Sequence, residues 1–151
     1  MKKIFVLLML SASVLVSCNS DDDKVENKGT LIGKWEFFEV SLQGTEGEFI
    51  PYYQHFGDSE CGIDIWEFNS NYSAQNVFFR QDNEHNCYSE ENFHTYSFSE
   101  ENINLIYEEI TISAKIEFLT NGWLKIIFTE SILFKTYDNL PIMVDGFTLK
   151  K

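Results

Sequence analysis

One run of residues constrains this chain more than any other: Ile110-Thr111-Ile112-Ser113-Ala114-Lys115-Ile116-Glu117-Phe118. Every even position is apolar and every odd one polar. Successive side chains of an extended chain point to opposite faces, so this run specifies a strand with one dry face and one wet face. Asn121-Gly122 follows, a strong hairpin signal. Beyond it, Leu124, Ile126, Phe128 and Ile132 share one face, while Lys125, Thr129 and Ser131 share the other. The two runs predict an antiparallel hairpin over 110–118 and 123–134.

The rest of the chain reads the same way. No window past residue 30 sustains a helical period with caps. Further strands are expected at 31–42, 63–69, 72–80, 93–99, 103–107 and 142–150, with turn chemistry at Asn69-Ser70-Asn71 and Ser99-Glu100-Glu101-Asn102. Two longer polar segments, 43–62 and 81–92, interrupt them. Aromatic residues make up 16% of the chain, ample for a packed core. The expected fold class is all-β, an antiparallel up-and-down barrel of about eight strands, because closure removes the sheet edges. A β-sandwich is the alternative.

The first segment is different. Lys2 and Lys3 precede an apolar stretch from Ile4 to Val16, broken only by Ser11 and Ser13. As a helix it would be roughly 20 Å long, short of the ~30 Å hydrocarbon core. Residues 1–17 are therefore expected to be a signal peptide. Leu15-Val16-Ser17-Cys18 resembles the bacterial lipobox, which implies cleavage before Cys18 and acylation of that cysteine. An ordinary secretory signal with a chance cysteine is the alternative. Residues 18–30 hold few apolar groups and read as an acidic flexible tether, at most ~40 Å long when extended. Ser20-Asp21-Asp22-Asp23 resembles the surface-export signal of lipoproteins in some Gram-negative bacteria, which implies an outer-membrane, surface-exposed location. Residues 31–151 form the expected barrel.

Cys61 and Cys87 are the other cysteines. In an oxidising compartment an even pair favours a disulfide, here between the two polar segments; two buried thiols are the alternative.

Gly33-Lys34-Trp35, opening the globular part, resembles the GxW motif of lipocalins. Ile65-Trp66-Glu67-Phe68-Asn69-Ser70-Asn71-Tyr72 and Gly146-Phe147-Thr148-Leu149-Lys150 resemble parts of the bacterial lipocalin-like lipoprotein domain. The resemblance spans about residues 29–151. It implies that Trp35 packs across the barrel base where Gly33 lets the chain bend. Larger lipocalins stack a late arginine on that tryptophan. The sole arginine here is Arg80, so Lys150 or Lys151 would have to substitute.

Chemistry is sparse by comparison. His55, His85 and His94 lie in polar stretches without a nucleophile motif and read as exposed loop residues. No zinc spacing, calcium loop or glycine-rich phosphate loop occurs, so no metal or cofactor is expected. A net charge of −13 with scattered Lys and Arg argues against nucleic acid. Three function classes remain. One is a carrier of a small apolar ligand, with Trp66, Phe68, Tyr96, Phe98, Ile112, Ile116, Phe118, Leu124, Ile126 and Phe128 lining a cavity; the same set would otherwise fill a small barrel. The second is a scaffold meeting an envelope protein or glycan, with Tyr52 and Tyr53 as the contact. An enzyme is the least favoured.

Overall fold

Alternating strands with a continuous apolar face can shed that face from water by packing on a second sheet or by curling onto themselves, and this chain does the latter. The computed structural model describes residues 29–57, 60–136 and 140–151. The expected signal peptide, Cys18 and the tether as far as residue 28 lie outside the described residues. The strands are β1 (Gly33–Leu42), β2 (Phe49–Pro51), β3 (Ile65–Phe68), β4 (Ser73–Gln81), β5 (Cys87–Phe98), β6 (Asn102–Tyr107), β7 (Ile110–Leu119), β8 (Trp123–Lys135) and β9 (Pro141–Lys150). Sequential neighbours from β3 to β9 pair antiparallel, β1 pairs with β3, and β9 returns to β1. The result is a closed eight-stranded up-and-down barrel, as the alternation implies, and not a sandwich. Short β2 is an extra strand that pairs only with the end of β1.

The base of the barrel holds the turns at Asn69-Tyr72, Ser99-Asn102 and Thr120-Trp123 together with both ends of the described chain. Trp35 lies here, fully buried, its indole N–H donating to the Leu31 carbonyl at 2.7 Å. Gly33 takes φ +127°, a left-handed conformation that disfavours any side chain. Lys151 places its Nζ 4.4 Å from the centre of the Trp35 ring, donating to Thr30 O and Ile32 O. A lysine thus stands where larger lipocalins place an arginine. At the Asn121-Gly122 turn neither residue has positive φ; the Thr120 hydroxyl instead accepts the N–H groups of Gly122 and Trp123.

Above the base, aromatic side chains fill the interior. Trp66 packs on Phe68 with ring centres 5.0 Å apart, and Phe68 meets Tyr96 at 5.2 Å. Ile103, Leu105, Leu119, Leu124, Ile126 and Leu149 complete a continuous cluster with them.

At the opposite end, the segment expected to be a polar loop over 43–62 folds inward. Its single-turn 3-10 helix (Tyr52–Gln54) buries Tyr52 against Phe37 and Phe56, with ring centres 4.8 and 5.0 Å apart. Two links hold this plug. One is the Cys61–Cys87 disulfide. The other is Asp64, fully buried, which accepts from the Arg80 guanidinium at 3.0 Å, the Tyr52 hydroxyl at 2.9 Å and the Phe79 N–H at 2.7 Å. Cys87 is itself the first residue of β5, so the bridge joins a loop to a strand instead of joining two loops.

Candidate functional site

The wall of the barrel is not of even height. β5 has 12 residues and β8 has 13, but β6, in the wall between them, has only 6. Its hairpin with β7 closes early through Glu108-Glu109, with Glu108 at φ 46°. Paired residues of β5 and β6 run only from Thr95 to Phe98, and those of β7 and β8 only from Ala114 toward the base. Above these points β5 and β8 stand apart, and a notch opens in the side of the barrel near its mouth.

The notch has an inner and an outer part. The inner pocket is about 220 Å³ and is walled by Phe78, Tyr107, Ile112, Ile132 and Phe134, with Asn76 and Asn92 among them and no charged side chain. The outer pocket, about 430 Å³, shares Phe78, Asn92, Leu133 and Phe134 and adds Arg80, Tyr88, Glu90 and Lys135. Period two in β4 brings Ala74, Asn76, Phe78 and Arg80 onto the inner face, opposite His94, Asn92, Glu90 and Tyr88 of β5.

Polar groups beneath the notch are buried. His94 is only 6% exposed, accepts a hydrogen bond from the Trp66 indole N–H at 3.1 Å, and stacks on Tyr107 with ring centres 4.3 Å apart. Removal from water holds its pKa down to about 4, so the ring is neutral at pH 7. Burial likewise raises the Tyr107 hydroxyl well above its ordinary value. Asp64 is pushed upward by burial, and the Arg80 guanidinium opposes that shift. One atom near the notch, Asn76 Oδ1, has no hydrogen-bond partner.

The expected inward residues separate into groups. Trp66, Phe68, Tyr96, Ile116, Leu124, Ile126 and Phe128 are buried in the core cluster, and of these Phe128 also borders a recess on the other side of β8. Ile112 is half-buried and lines the notch. Phe98 shares the inner face with Ile103 but ends its strand at the rim, 40% exposed. Phe118 is displaced: a bulge at Glu117 pairs Ile116 with Ile126 and Phe118 with Lys125, so Leu119 turns inward in its place. Tyr52, expected as a surface contact, is buried in the plug, and only Tyr53 remains outside, 62% exposed. His94, read as an exposed loop residue although it falls within the expected strand 93–99, is a buried wall residue because it pairs with inward-facing Ala74 of β4. Asn76, Phe78, Tyr107 and Phe134 went unnoticed in the sequence. The signal was there in β4, where Asn76 keeps phase with Ala74 and Phe78. Among the described residues no group of three or more His, Cys, Asp and Glu is placed to hold a metal ion.

The fold is thus a closed meander with a glycine-bent tryptophan across its base. The family model of the lipocalin-like domain matches residues 31–126. The chain belongs to the lipocalin-like domain family. No curated protein and no solved structure matches it. In this lipocalin-like domain the matched segment ends within β8, and the remainder of β8 with β9 closes the ring. The family's barrel is therefore complete here, but its centre is filled, and the open volume lies to the side.

Proposed function

We propose that this lipocalin-like domain is a non-enzymatic carrier that holds a small apolar ligand in the side notch, and that acyl chains on Cys18 anchor it to a bacterial outer membrane. The observation that carries the reading is the inner pocket: an apolar recess with a few fixed polar groups, the usual make-up of a small-molecule site. The filled lower barrel agrees with it, since it directs a ligand to the periphery; two other recesses, of about 350 and 370 Å³, are lined largely by polar groups, and the inner notch is the more apolar. At about 220 Å³ the inner pocket suits a ligand smaller than a typical drug. Gly29 bonds through its N–H to Leu119 O at the base. A tether arriving there would set the base toward the membrane and the notch away from it, open to the outside when the protein is displayed on the surface.

Protein purified from its native membrane and analysed by native mass spectrometry is expected to carry a bound small molecule and a triacylated Cys18. Cys18→Ser is expected to shift the protein to the soluble fraction. A ligand-free preparation whose notch residues show no response to apolar probes would overturn the carrier reading. A Cys18→Ser variant that stays in the membrane would overturn the anchor.

A further inference from the structure

The inner notch has apolar walls, no charged side chain, and one buried acceptor left idle. Asn76 is only 4% exposed, lines the pocket, and its Oδ1 accepts no hydrogen bond. Buried side-chain oxygens nearly always have a partner, and one without it calls for a physical reason, of which a bound donor is one. The charged groups of the notch, Arg80, Glu90 and Lys135, all belong to its outer part. Resting on the carrier reading, we infer that the inner notch takes an uncharged ligand with a compact apolar body and one hydrogen-bond donor, an O–H or N–H, directed at Asn76 Oδ1.

The physical reason is selective. An ionised head would lose its hydration among Phe78, Tyr107, Ile112, Ile132 and Phe134 with no counter-charge to replace it. Asn76 Oδ1 is already shielded from water and unpaired, so a ligand without a donor leaves that deficit standing, whereas one that reaches it with an O–H or N–H relieves it. A ligand with one donor satisfies that atom and buries its remaining surface. Sites built around a hydrogen bond discriminate strongly against analogues that lack the group.

Indole and benzofuran test this directly, because they share size and shape and differ in an N–H against a ring oxygen. Calorimetric titration of the mature protein is expected to give about tenfold tighter binding of indole, about 1.4 kcal/mol. Asn76→Leu is expected to remove that preference, and Ile132→Trp, which fills the pocket, to abolish both. Equal affinity of the two probes for the unaltered protein would overturn the donor inference and leave the carrier reading standing. Absence of binding by either probe, or binding unaffected by Ile132→Trp, would overturn both. The comparison on the unaltered protein decides the inference even where a variant fails to fold. Perturbation of the Asn76 side-chain amide resonance by indole locates the contact there.

Discussion

His94 shows how one residue couples burial to pH. Its imidazole is neutral because water has been removed from around it, and its Nε2 serves as acceptor for Trp66. In the unfolded chain the ring would titrate near its ordinary 6.5, but in the folded barrel it titrates at about 4. As pH falls through this window the unfolded chain takes up the proton first, so stability present above 6.5 drains away toward pH 4. The full shift would correspond to about 3 kcal/mol, and the effect should be nearer 2 because Tyr107, on which the ring stacks, lines an open pocket. Urea unfolding at pH 7 and pH 4.5 measures it. His94→Gln should remove this part of the slope, and an identical slope in that variant would show that His94 is not its source. Arg80 and Asp64 illustrate the complementary case. The chain's one arginine is spent inside the protein on a carboxylate, where it anchors the plug instead of the base tryptophan. That exchange was half legible: lack of a late arginine pointed to a lysine at Trp35, and Lys151 supplies it. What Arg80 does instead depends on Asp64, sixteen residues away, and no local pattern announces that contact.

At the scale of elements, β7 is the clearest lesson. Its alternation fixed one face over Ile112, Ala114 and Ile116, and extending the rule placed Phe118 inside. The extra residue at Glu117 reverses the phase, so Leu119 is 1% exposed and Phe118 is not in the core. Leu119→Ala should therefore cost about 2–5 kcal/mol, the range for truncating a buried leucine, while Phe118→Ala should cost less than about 1. Chemical denaturation of the two variants checks the bulge, and the reverse order would contradict it. β5 offers a second case. Residues 87–92 are polar and exposed and read as loop, yet they are strand, because β4 supplies a full ladder of backbone partners from Gln81 back to Ser73. Tertiary pairing overrode weak local propensity there. The extension creates the notch, since β5 outruns the short β6 beside it.

For the molecule as a whole, stability and site share one set of ties. The plug that closes the mouth is held by the Cys61–Cys87 bridge and by Asp64, and the open notch lies beside it. Replacing both cysteines by serine should lower stability by about 3–4 kcal/mol, from the loop closed across 26 positions. Thermal and denaturant unfolding of the oxidised and double-serine proteins measures this. An unchanged midpoint would mean that the plug stays docked without the bridge. The all-β class, the hairpin at Asn121-Gly122, the pairing of Cys61 with Cys87 and the Trp35 base were all readable from the chain itself. The first three rest on neighbours in sequence or on a count of cysteines, and a side-chain period of two needs no distant partner to declare itself; the Trp35 base rests on the resemblance of Gly33-Lys34-Trp35 to the lipocalin motif. The inward turn of Tyr52, the burial of His94, the reversed phase at Glu117 and the notch were decided only by the closed barrel. Each depends on the relative lengths and registers of strands far apart in the chain, and those lengths acquire meaning only when the ring shuts.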